Sequence, residues 1–139
     1  MSVETHTISL ETEGNGDVLD ITERVQDCVK SSKLSHGIAT IFTPSATSAI
    51  TTLEYEPGCV RDLQRVFDEI IPPDREYAHN QRWGDGNGHS HARAALLKSS
   101  LTIPIVDRNL ILGTWQSLIL VDFDNRPRSR KLVVQLLGD

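Results

Sequence analysis

The chain has 139 residues, 38% of them hydrophobic and 24% charged. That describes one globular domain spanning residues 1–139, with enough apolar content to build a core and no length for a second domain. The net charge, 14 − 19 = −5, argues against bulk nucleic-acid binding, which needs a basic face. No apolar run approaches the ~20 residues of a membrane span.

Met1–Glu13 is polar and alternating, without the apolar segment of a signal peptide, so a cytoplasmic protein is expected. The two cysteines, Cys28 and Cys59, form no close motif, which agrees with reduced thiols in that compartment. "HTISLET" alternates and predicts a strand. "GNGD" is a turn. Asp20 and Glu23 have capping-box spacing at the start of "DITERVQDCVK". Ile21, Val25, Cys28 and Val29 then fall on one helical face. "IATIFT" and "ATSAITTLEY" are β-branched and predict two strands around Pro44.

"PGCVRDLQRVFDEIIPP" predicts a second helix with Val60, Leu63, Phe67 and Ile70 as its apolar stripe. Pro72 and Pro73 stop it. Residues Asp74 to Gly88 carry no strand or helix pattern. A loop of about fifteen residues is uncommon in a compact domain and is often functional. A short third helix is expected from about Ser90 to Lys98. The remainder reads as strand: "LTIPIVD", "LILGTWQSLILVDF" and "RKLVVQLLG", the last two separated by the basic turn "NRPRSRK". That turn reads as a solvated connection or as an anion contact.

Adjacent strand runs between about three helices predict an α+β domain with mostly antiparallel sheets. "LILGTWQSLILV" has too few polar positions for a strand with one wet face. It should be covered on both faces by its own helices or by another subunit, and this is the reason to expect an oligomer.

The chemistry concentrates in "AHNQRWGDGNGHSHARAALL", Ala78–Leu97, which holds three of the five histidines: His79, His89 and His91. It is not a P-loop, since no Gly-Lys-Ser/Thr follows, nor a Rossmann fingerprint, since the glycine spacing differs. A cupin-type site would want a carboxylate soon after His91, and none occurs before Asp107. Three readings stay open. Neutral imidazoles are common ligands for transition metals. In an extended segment His89 and His91 would point the same way, whereas in a helix they diverge by about 200°. His79 would arrive on the long loop as a third ligand. Alternatively, a glycine-rich turn entering a helix exposes N–H groups to an anion, with Arg93 adding charge. Asp85 and Asn87 would cap the helix or hold Mg²⁺ through oxygen. The third reading is a polar loop whose histidines only cap or hydrogen-bond.

Two further places attract attention. Glu54 follows an alternating run, and among apolar neighbours it would suit general acid–base work; an exposed strand end is the alternative. Trp115 and Gln116 interrupt an apolar strand, as a core tryptophan or as the wall of a heteroaromatic ligand site.

Taken together, "FTPSATSAITTLEYEPG", "YAHN", "GDGNGHSHARAALL", "LTIPIVD", "LGTWQ" and "DFDNRPRSRKLVVQLLG" resemble the YjbQ family, described as secondary thiamine-phosphate synthases. The resemblance covers nearly the whole chain in order. It implies a homotrimeric α+β domain and a pocket with the family's histidines, Glu54, Asp85, Asn87 and Arg93, near a subunit interface. Asn80, Trp115 and Gln116 would contact substrate. It also implies a transferase that joins a pyrimidine-methyl pyrophosphate to a thiazole phosphate. A divalent metal would serve it, zinc-like at the histidines or Mg²⁺ with the pyrophosphate.

The chain departs from many bacterial members in three places. Ser45 stands where they have His in "TPHTTA", His89 where they have Pro in "NGPAH", and "LLKSS" where they have "LLGPS". His89 is therefore expected to replace the missing imidazole in space, keeping three histidine ligands. A metal-dependent hydrolase of a phosphate or amide, with Glu54 as base, is the alternative activity. A non-catalytic metabolite- or metal-binding trimer is the third.

Overall fold

Eleven-residue strands at the two ends of the chain lie side by side. In the computed structural model, which describes residues 1–139, β1 (Ser2–Thr12) pairs with β8 (Arg128–Gly138) from Ser2↔Gly138 to Thr12↔Arg128. Between them in sequence come β2 (Asp17–Asp20), α1 (Thr22–Ser31), β3 (Gly37–Phe42), β4 (Ser48–Leu53) and α2 (Pro57–Ile70). Then follow α3 (Ala78–Trp83), α4 (Gly88–Leu97), β5 (Ser100–Val106), β6 (Asn109–Leu110) and β7 (Ser117–Asp122).

All pairing is antiparallel. One sheet has the order β1-β8-β3-β5-β6 and the other β2-β7-β4. The α+β expectation holds, with four helices rather than three.

Two apolar clusters explain the layering. In the first, Ile8, Ala39, Ile41, Ile103, Leu132 and Val134 from the larger sheet meet Ile50, Leu118 and Leu120 from the smaller one. Val25 and Val29 of α1 close that layer. In the second, Ala49, Ile119 and Val121 meet Phe67 of α2 and Ala94 of α4. Alternate residues of β7 thus enter opposite clusters, as a strand's period of two requires. All four residues from Leu118 to Val121 are at most 1% exposed. The apolar strand is covered by its own chain, so it gives no reason for a second subunit.

The structure corrects several sequence expectations. Asp17–Asp20 is a strand, paired with β7. Asp20 therefore does not sit inside a capping box: Ile21 occupies the N-cap, and Asp20 Oδ1 accepts from the Thr22 N–H and hydroxyl. Residues Gly113–Gln116 are a turn and not strand. Gly113 N–H donates to Gln116 Oε1, and Trp115 projects outward at 74% exposure. The fifteen-residue loop contains α3, which ends on Gly84 in the left-handed conformation at φ 63°, where glycine avoids the Cβ penalty. The basic turn partly solvates, but Arg128 and Arg130 fold back onto buried carboxylates. No helix is long and apolar enough to cross a membrane.

Candidate functional site

The start of α4 determines where every histidine points. The helix begins at Gly88, two residues earlier than the sequence suggests. Asn80 Oδ1 accepts from Gly88 N–H at 2.8 Å, tying α3 to the first turn. Asp85 Oδ1 accepts from Asn87 N–H. Asn87 Oδ1 lies 2.5 Å from the buried Ser90 hydroxyl and also accepts from Asn125 N–H. Gly88 has no room for a side chain, since a Cβ there would lie 2.5 Å from Tyr77 Cβ.

With His89 and His91 both inside the helix, their rings diverge, as about 100° per residue dictates. His91 meets His79 of α3, with ring centroids 4.3 Å apart. His79 Nδ1 lies 3.3 Å from Asp85 Oδ1. His89 instead goes into the interior beside Tyr77, at 6.4 Å between centroids, and its Nδ1 is buried without a hydrogen-bond partner. No three His, Cys, Asp or Glu side chains are grouped to hold a metal ion. The expected set of His79, His89 and His91 does not form within the chain. His89 does not replace the imidazole missing at Ser45, because the early helix start turns it away from the pair. These residues do not fit a three-histidine centre.

The electrostatics follow from this placement. Burial pushes the His89 imidazole below its ordinary value, and the Arg93 charge adds to that. Burial also lowers His91, with the neighbouring His79 contributing. Both rings are therefore held neutral at pH 7.

The first N–H group at the start of α4 is taken by the chain itself, since Asn80 accepts it. Arg93 is not free to supply charge. It is 4% exposed, donates from Nε to the Ile71 carbonyl and from Nη2 to Asp68 at 3.0 Å, and lies over the Phe67 and Phe123 rings. It fastens α4 to α2. Asn80 and Asn87 likewise serve the helix junction. Glu54 is exposed just after β4. Gln116 Nε2 donates to Thr52 Oγ1, beside an outward Trp115.

A cavity of about 510 Å³ lies along α4. His91, Ala94, Ala95 and Lys98 form one wall, at the spacing that places them on one helical face. Ser45 and Ala46 of the β3–β4 loop and Ser48, the first residue of β4, face them, with Ser99 at the end. The alanines are what leave the space. Ser45 Oγ accepts from Thr47 N–H, and Ser48 Oγ lies 2.7 Å from Thr43 Oγ1, so the hydroxyl wall is held in place.

Behind it is a buried ionic network. Arg130 Nε donates to Asp122 Oδ2 at 2.7 Å, and its Nη2 reaches Asp122 Oδ1 and Thr47 Oγ1. Burial acts to raise the Asp124 carboxyl, but bonds from Thr47 and Arg128, the Arg128 charge and Asn87 together hold it below the ordinary value. In the sequence Ser45 and the "LLKSS" segment with Lys98 and Ser99 stand out only as departures from the family pattern, and Ser48 not at all. The signal was there in the i, i+3, i+4, i+7 row His91, Ala94, Ala95, Lys98 opposite a serine-rich loop.

Comparison with known proteins covers the same extent of chain. A protein from Methanothermobacter thermautotrophicus described as a UPF0047 protein is 36% identical over 138 residues, 99% of this chain and 94% of that one. The crystal structure of an uncharacterized YjbQ/UPF0047-family protein from Clostridium acetobutylicum is 35% identical. It superposes with a TM-score of 0.87 over 95% of this chain and 99% of its own. A YbjQ-like protein of unknown function from Sulfolobus solfataricus gives a TM-score of 0.90 at 29% identity, covering 99% and 100%. The family model described as UPF0047 protein YjbQ-like matches residues 6–139, and the chain belongs to that family.

Proposed function

We propose that the chain is a transferase acting on a phosphorylated small molecule in the cavity beside His91. The reaction we assign is the joining of a pyrimidine-methyl pyrophosphate to a thiazole phosphate. A thiazole ring nitrogen attacks the methylene carbon and a C–N bond forms. The C–O bond to pyrophosphate breaks, and its electron pair leaves on the pyrophosphate oxygen. The demand on the protein is to stabilise charge developing on that oxygen. Any Mg²⁺ would enter with the pyrophosphate as part of the substrate.

One observation carries this reading: a concave site that combines a neutral imidazole with fixed hydroxyls. A cavity of about 510 Å³ lies in the range of small-molecule sites, roughly 300–1,000 Å³. Neutral His91 has one N–H to donate to a leaving oxygen, and the serine hydroxyls donate without adding a like charge. The hydrolase alternative is weaker, because Glu54 is exposed and away from this cavity.

A homotrimer belongs to the same proposal. Its support is the outer face of the larger sheet, where Val3, Ile38, Phe42 and Val106 are each at least 39% exposed with no helix over them. A cytoplasmic setting is supported by two unpaired cysteines.

The test is pyrophosphate release on mixing the two precursors with protein. Formation of the joined product, reduced at least about tenfold in His91→Gln, supports the transferase. Absence of release with tight precursor binding makes the chain a metabolite-binding protein.

A further inference from the structure

Lys98 is the one residue of the His91 cavity in a backbone conformation that side chains rarely adopt, at φ 84° and ψ 161°. The flanking hydrogen bonds give it no freedom to relax. Lys98 N–H donates to the Ala94 carbonyl, the Lys98 carbonyl accepts from Ile50 N–H, and the Ser99 carbonyl accepts from Thr43 N–H. The chain must leave α4 here and enter β5 while staying pinned to β3 and β4. Glycine would satisfy this position without strain. The residue present is a lysine that lines the cavity. None of the chain's ion pairs uses its ammonium. Arg93, the other cation of α4, is committed to Asp68.

We propose that Lys98 is the anion-binding residue of this cavity and holds a phosphate or pyrophosphate group of the ligand together with the Ser45 and Ser99 hydroxyls. Strain retained in a pocket wall is expected where the side chain it carries has a task. An ammonium on a flexible stem is suited to a multiply charged oxyanion. The serines provide neutral donors that complete its shell. This rests on the phosphorylated-ligand reading above and adds the residue that recognises the charge.

The experiment is calorimetric titration of inorganic pyrophosphate into the full chain and four variants, with thermal melts alongside. Lys98→Met keeps the strained backbone and removes the charge. It should weaken binding about tenfold or more and leave Tm nearly unchanged. Lys98→Gly should weaken binding equally yet raise Tm by a few degrees, because the strain is gone. A residue with only a structural role would not give loss of binding with gain of stability. Lys33→Met, in the turn after α1, removes the same charge elsewhere and should bind as the parent does. Lys98→Met binding within about twofold of the parent would overturn the inference. If His91→Gln then still abolished binding, the cavity reading would survive without Lys98. No binding of pyrophosphate by the parent chain would overturn both.

Discussion

His79 and His91 lie ring against ring, with centroids 4.3 Å apart and planes inclined by 36°. A charged His79 ring at that distance disfavours the charged form of His91. Burial is the larger cause of the lowered His91 value and His79 the smaller. NMR titration of the His91 ring in His79→Gln should therefore show only a partial upward return toward the ordinary 6.5. Asp85→Asn should move it the other way, since that carboxylate favours the charged ring. A complete return in His79→Gln would make burial irrelevant and contradict the packing of α4.

The Asp122–Arg130 pair predicts a large loss of stability. Asp122 is fully buried, and Arg130 meets both of its oxygens. Removing one partner leaves an uncompensated buried charge, at a cost of about 3–5 kcal/mol. Arg130→Met should show this in urea unfolding. Adding Asp122→Asn to it should recover part of the loss, because the residual group is then neutral. Full stability in the single variant would mean that water reaches the carboxylate.

His89 makes the fold sensitive to acid. Its folded value lies below the ordinary 6.5, so the unfolded chain binds more protons between the two values. Stability is then complete above about pH 6.5 and declines as pH falls through the window toward the lowered folded value. His89→Leu should flatten the dependence of Tm on pH below about 6.5. It also removes a buried Nδ1 that has no partner, and the hydrogen bond it gives up, between Nε2 and the Ser90 hydroxyl, is long at 3.4 Å, so little loss is expected at neutral pH from that source. An unchanged acid slope would assign the sensitivity to His91 alone.

Gly88→Ala should destabilise the junction of α3 and α4. The new methyl would lie 2.5 Å from Tyr77 Cβ and 3.1 Å from Asn80 Oδ1. Overpacking of this kind costs about 1–3 kcal/mol. Displacing Asn80 would also release the first N–H of α4. Hydrogen exchange should rise at Gly88–His91 before the sheets are affected.

Much of the fold was legible because its signals are local. The stripe Val60, Leu63, Phe67 between two proline boundaries gives α2 almost residue for residue, although Ile70, expected to complete the stripe, is 49% exposed. The β-branched runs give β3, β4 and β5. The strand β2 was not legible, because four residues are too few for a period and its order comes from pairing with β7. The helix α3 has no buried residue, so no apolar stripe announces it. Its stability comes from Asn80 holding Gly88 and from Tyr77 donating its hydroxyl to the Pro72 carbonyl, neither of which a periodicity can reveal. That hidden helix is also why the histidine site was misjudged. Once α3 advances the start of α4 to Gly88, a two-residue spacing changes from same-side to opposite-side. Arg93 read as a free cation because Asp68 is 25 residues away in sequence.

The position of β8 has a consequence for synthesis. It lies between β1 and β3, so β1 has no strand to pair with until β8, far later in the sequence, has emerged. Until then the larger sheet remains in two pieces, β1 and β3-β5-β6, and its closure joins residues far apart in sequence. Contacts of such separation are slow to form and leave open strand edges in the meantime. A nascent chain stalled before Arg128 should therefore be able to pair β2-β7-β4 and β3-β5-β6 but leave β1 unprotected. Loss of β8 would deprive both β1 and β3 of a partner.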